Sequence, residues 1–330
     1  MNPSIHILQE VSPRDPILVA AWPGMGNVAY GAAMYLKEGL KPLHFASIRT
    51  EDIFFKTGVQ VQDGILDIPA LPGCNFFYHR VEEGKRDLII FIGESQPVME
   101  KELTLAHHVL ELALHLNVRE IITFAATPVN ITHRDTPGVW CVATGGALLQ
   151  SVSSLGARVM TGGHIGGLNG LLLGVGKEAG IDGLCLLGEI PFYTVKIENP
   201  RSSIAILNIF ARYTNIPVDT EGLEKMARYV EEEIDRVSRK TKRSILEGET
   251  TEGEPAEGEP TEGEEAGPAS PRPAIERRIP NEVSDKIEFL FRQASEDISK
   301  AGELKSELDR WGLFVEYEDR FLDLFGKGNM

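Results

Sequence analysis

Six short apolar runs, at residues 17–22, 43–48, 87–92, 120–124, 139–143 and 183–187, each have the length of a β-strand. Stretches of helical period lie between several of them, at 28–39, 98–117, 145–155 and 168–179. A strand that is apolar at nearly every position is buried on both faces, and helices alternating with such strands cover those faces. The expected body is therefore a three-layer α/β/α fold around a mostly parallel sheet. Residues 51–80 break the pattern. Phe54-Phe55, residues 59–61, Ile65-Leu66 and residues 76–78 are short apolar pieces separated by Gly and Pro, which predicts antiparallel hairpins. A long charged helix is expected over 220–244.

That helix leads into a segment of another kind. Residues 247–271 hold nine glutamates and no basic residue, so more than half of the net charge of −16 lies there. The segment repeats a five-residue unit, beginning Thr251-Glu252-Gly253-Glu254-Pro255, and has no large apolar side chain. Such a sequence cannot offset the entropy of ordering and is expected to form an extended, solvated linker. The chain then divides into a body over 1–245, an acidic linker over 246–275 and a helical segment over 276–330. In the last segment Ile287, Leu290 and Phe291 recur at helical spacing, followed by Leu304, Leu308, Trp311, Phe314, Tyr317 and Phe321. That is too little for an independent core, so its apolar stripe is expected to pack on the body or on a neighbouring subunit.

Composition excludes several function classes. A strongly acidic chain without a basic cluster argues against nucleic acid and anionic membranes as partners. Cys74, Cys141 and Cys185 are too widely spaced for a zinc ribbon or a disulfide framework, so a cytoplasmic location is expected. Residues 1–14 carry Pro3, Glu10, Pro13 and Arg14 and do not read as a signal peptide. No run reaches the roughly 18 uncharged apolar residues of a membrane span. Within 98–117, His108, Glu111 and His115 share a helical face and have the spacing to meet a metal. Glu100, Lys101, Thr104 and His107 lie on the same stripe, so it reads as a solvated face and no metal is expected.

In open α/β sheets ligands bind beyond the carboxyl ends of the strands. Five glycine- or proline-bearing segments follow expected strands: 23–27, 93–97, 125–128, 162–170 and 188–191. Gly24, Gly26 and Asn27 sit in a G-x-G-x-x-A pattern, with Glu51 and Asp52 further on where a ribose-binding acid would lie. The same letters also describe a plain glycine turn. Gly163, Gly166 and Asn169 complete the candidate ligand-binding set. Glu94 and Glu189 each follow a strand and a glycine. Placed at neighbouring strand ends they would share acid/base work; alternatively they accept backbone N–H bonds and stiffen their loops. His164, flanked by glycines, is the third catalytic candidate. There is no P-loop, no G-x-S-x-G elbow and no H-E-x-x-H.

These segments together resemble one family. LVAAWPGMGNV at 18–28, GESQP at 93–97, the block GGHIGGLNGLLLGVGKEAGIDGLCLLGEIP at 162–191 and DRWGLFVEYEDRFLDLF at 309–325 are similar to motifs of proteasome assembly chaperone 2 and its prokaryotic relatives. The resemblance implies a phosphorylase-like α/β/α body that forms small homo-oligomers. It also implies a binding or chaperone role toward a protein client, with no catalysis and no cofactor. Archaeal relatives dock proteasome α-rings through a C-terminal hydrophobic-Tyr-any tail. This chain ends Gly326-Lys327-Gly328-Asn329-Met330, so the resemblance does not carry that docking mode over. Some relatives are labelled ATP-grasp carboligases, but the separated lysines and magnesium-binding carboxylates of that chemistry are not evident here. The alternative is a small-molecule or nucleotide-binding enzyme (hydrolase, ligase or dinucleotide-dependent) using the strand-end crevice.

Overall fold

A computed structural model describes residues 4–56, 58–82, 85–247 and 281–311, and six further positions between 313 and 324. Residues 248–275 of the expected acidic linker lie outside the described residues, and residues 246 and 247 are helical. One nine-stranded sheet organises the body, in the order β1 (Ile5–Ile7), β3 (Leu43–Ile48), β6 (Cys74–His79), β7 (Leu88–Gly93), β2 (Ile17–Ala21), β8 (Glu120–Val129), β11 (Asp182–Pro191), β9 (Val139–Ala143), β10 (Arg158–Val159). The four central strands, β7, β2, β8 and β11, are mutually parallel. Antiparallel pairing begins at β6 on one side and at β9 on the other, so the sheet is mixed with a parallel centre. The parallel part coincides with the continuous apolar runs, which need cover on both faces.

The two faces are read off β2 by alternation. Ile17, Val19 and Ala21 face one core with α1 (Val28–Leu40), α3 (Gly146–Ser153) and α5 (Pro200–Thr214). Leu18, Ala20 and Trp22 face the other with α2 (Met99–His115) and α4 (Gly167–Glu178). Small residues let α1 lie close on the sheet: Ala29, Ala32 and Ala33 are all buried. Between β3 and β6 a separate hairpin is formed by β4 (Gln60–Gln62) and β5 (Ile65–Asp67), while residues 76–78 join the main sheet. Phe54 and Phe55 belong to neither.

Two expected loops are strand instead. β8 and β11 pair without interruption from Glu120↔Asp182 to Val129↔Pro191, so residues 125–128 and 188–191 continue their strands. The parallel neighbour holds these segments extended despite Gly188, Pro128 and Pro191. Helix α5 is not among the expected helices. It starts at Asn199 with Pro200 in its first turn, a position whose N–H has no helical partner anyway. Helix α6 (Glu221–Glu247) follows. Beyond the linker, α7 (Asn281–Glu296) and α8 (Ala301–Trp311) close a small core around Phe291, Leu304, Leu308 and Phe321, and Phe192 of the body packs against it.

Candidate functional site

A cavity of about 980 Å³ lies at the carboxyl ends of the central strands. Its walls include Pro23, Gly24 and Met25 after β2, Gln96 and Met99 after β7, residues 125–130 of β8, and the glycine loop before α4. Lys305, Ser306 and Phe314, with Phe192, close it from the C-terminal side. That volume suits a drug-sized ligand or a short apolar segment of chain.

The glycine loop follows β10. Gly163 and Gly167 have φ of +129° and +66°, which side-chain-bearing residues rarely adopt. Gln96 ties this loop to the first one, donating from Nε2 to the Pro23 carbonyl at 3.0 Å and accepting the Leu168 N–H at Oε1 at 3.4 Å. Asn169 accepts the Trp22 backbone N–H at 3.3 Å and is buried. Gln96 is thus the crossbrace of the crevice. It sits inside the GESQP motif but was not among the expected site residues, because a lone glutamine carries no chemical signature in sequence.

Five of the expected residues meet at this cavity: Gly24, Gly163, His164, Gly166 and Asn169. His164 is exposed there. The others do not line it. Gly26 has φ +59°, and a Cβ there would lie 2.6 Å from Asn199 Nδ2. Its N–H donates to Val195 O at 2.7 Å, and the Asn27 N–H donates to Gly24 O at 2.9 Å. Asn27 Nδ2 donates to Glu198 at 3.2 Å. Both backbone amides are therefore already engaged within the protein. Glu51 and Asp52 follow β3, which stands beyond β6 and β7 from β2. The G-x-G-x-x-A stretch matches the dinucleotide fingerprint in letters and not in geometry.

Glu94 and Glu189 are not at neighbouring strand ends, since β2 and β8 separate β7 from β11. Glu94 accepts the Gly73 N–H at 2.7 Å, while its own N–H donates to Gly73 O at 2.9 Å. Glu189 accepts from the Gly138 N–H at 2.7 Å and from Trp140 Nε1 at 2.9 Å, and it pairs with Arg158. The Arg158 guanidinium stacks over the Trp140 ring at 4.5 Å. On α2, His107 and His115 are exposed, His108 is half-buried, and burial lowers the His108 pKa against the opposing pull of Glu111. No group of His, Cys, Asp or Glu suited to a metal ion occurs among the described residues.

A second polar cluster pairs residues far apart in the chain. The His133 ring bridges Tyr193 Oη and Asp235, each at 2.8 Å. Arg134 pairs with Glu231 at 3.2 Å and with Asp235, and Arg201 pairs with Glu224 and Glu231 at 2.8 and 2.7 Å. The hydrogen bond from Arg134, with that from His133, holds the Asp235 carboxyl below its usual range. This network fastens α6 to the body.

A mixed sheet covered on both faces, with a glycine-walled crevice at its parallel strand ends, places the chain among the three-layer α/β/α proteins. The model of the PAC2 family matches residues 18–238, and the chain belongs to that family. An uncharacterized protein of Methanocaldococcus jannaschii is 26% identical over 236 residues, covering 70% of this chain and 87% of its own length. Among solved structures, PbaB of Pyrococcus furiosus, an archaeal proteasome activator, matches with a TM-score of 0.62 and 27% identity, over 71% of this chain and 98% of its own. PbaA of the same organism, an archaeal homolog of proteasome-assembly chaperone, matches at 0.57 and 21%, over 74% and 96%, a likeness of fold alone. No helix among the described residues is long and apolar enough to cross a membrane.

Proposed function

We propose that this chain is a non-enzymatic, homo-oligomeric scaffold that binds a protein client in the manner of an assembly chaperone. The observation that carries the reading is the character of the crevice. Its walls are largely glycine backbone and adaptable apolar side chains such as Met25, Met99 and Met160, with Glu102, His164 and Lys305 as the ionisable groups among them, while Glu94 and Glu189 point their carboxylates into backbone and Arg158 contacts elsewhere. Methionine-rich surfaces re-pack around varied partners. Membership of the PAC2 family and the 27% likeness to an archaeal proteasome activator support the same reading and make a proteasome α-ring the first client to try. The C-terminal helices over 276–330 would act as a cover on the crevice, with the acidic segment over 246–275 setting their reach from the body. Three free, buried thiols suit a cytoplasmic setting.

The test is sedimentation of the full chain with purified archaeal proteasome α-rings, using wild type and Met99→Asp. Met99 is exposed at the crevice mouth. A complex that Met99→Asp weakens about tenfold or more is expected, since a buried unpaired carboxylate opposes docking. No complex with wild type would overturn the proteasome-directed form of the reading. The second reading, a small-molecule binder, is favoured by the cavity volume and by Glu102, His164 and Lys305, the ionisable groups at its wall.

A further inference from the structure

The connection between β3 and β6 sends the β4–β5 hairpin out at the carboxyl end of the sheet. Asp63 and Gly64 at its tip have φ of 52° and 76°. Two residues with positive φ form the turn that matches strand twist, so the hairpin's shape is specified locally. Val61 lies opposite Leu66, and Val59 and Ile68 extend that face by the two-residue period. These four aliphatic residues, in chain order, are 52%, 68%, 61% and 52% exposed. Gln60, Gln62, Ile65 and Asp67 occupy the opposite face. Two strands alone are marginal in water, and an aliphatic face of this kind is a template for association.

We infer that this face docks on the same face of a second copy of the chain, an inference that rests on the homo-oligomeric part of the proposed function. The face carries no charge, so two copies of a chain of net charge −16 can meet there without burying an unpaired carboxylate. The charges that border it are opposite in sign at its two ends, with Lys56 before β4 and Asp63 at the tip. Two hairpins crossed antiparallel about a two-fold axis set each Lys56 toward the other copy's Asp63. On the far face Gln60, Gln62 and Asp67 surround a single aliphatic side chain, Ile65, so that face offers no matching apolar seat and the pair closes at two layers.

The experiment is sedimentation velocity of the full chain as wild type, Val61→Asp and Gln62→Asp, with cross-linking of Val59→Cys by a short bis-maleimide. Val61→Asp is expected to weaken association at least about tenfold, because it buries an unpaired carboxylate among aliphatic side chains. Gln62→Asp, on the other face, should assemble as wild type does. Val59→Cys, beside the axis, should cross-link between subunits, selectively, since Cys74, Cys141 and Cys185 are all buried. Wild-type assembly by Val61→Asp, or no cross-link in Val59→Cys, would overturn the assignment of this face. A wild type that is monomeric at every concentration would overturn the homo-oligomeric reading with it.

Discussion

The ion-paired clusters of the body and the crevice walls with the hairpin use side chains in opposite ways. In the clusters, charge is matched: Glu189 with Arg158 and Glu231 with Arg134 and Arg201 around the ends of β8 and β11, and Asp87 with Arg14 at the amino end of β7. The crevice walls and the hairpin are chiefly glycine, methionine and aliphatic residues, with few of those links. The difference teaches where this chain holds itself together and where it is left open to something else. Variants in the clusters should cost stability, and variants in the crevice walls or the hairpin should cost association.

The largest stability effect is expected at Asp87. Burial would raise its pKa, but hydrogen bonds from Arg14, Tyr78 and the Val81 N–H override this and hold the carboxyl below its usual range. Asp87→Ala removes the buried partner of a half-exposed arginine and should cost about 3 kcal/mol in urea unfolding. The sign with pH follows. A carboxyl whose folded pKa is depressed contributes stability above its unfolded pKa near 4 and loses that contribution as pH falls through the folded value. Wild type should therefore weaken more steeply than Asp87→Ala below about pH 4, and equal slopes would remove Asp87 from the account.

A smaller loss is expected at the boundary between the two regions. Gly26→Ala forces a side chain into positive φ and against Asn199, and should cost about 2 kcal/mol, read as a lowered Tm. Retained stability there would reopen the loop to a ligand-holding role. The smallest effect belongs to His164, exposed at the crevice wall. His164→Ala should change stability by no more than about 0.5 kcal/mol. Its effect, if the crevice is the working surface, appears in client binding measured by titration.

The sequence shows the centre of the fold clearly, because a strand buried on both faces must be written as a continuous apolar run. It shows the ends of strands poorly. Pro128 and Gly188 read as stops, yet the parallel pairing of β8 and β11 carries both through. Short β1 and the β10 edge have too little pattern to stand out from loops, and α5 hides its start in an unremarked Asn199-Pro200 pair. At the site, the glycines and His164 are legible because their local sequence is unusual. Gln96 and the His133–Asp235 pair are not, since their meaning comes from partners 72 to 102 residues away. The G-x-G-x-x-A stretch was readable as a motif, but only the position of β3 in the sheet tells which motif it is not.

The central claim is that the open crevice serves a protein partner. Native mass spectrometry of the protein, purified gently from its own host, tests it most directly by reporting copies, partner and ligand in one spectrum. The account predicts a symmetric oligomer carrying a protein partner and no added small-molecule mass. A small molecule bound one per subunit, with no protein partner, would contradict it and hand the crevice to ligand chemistry at His164.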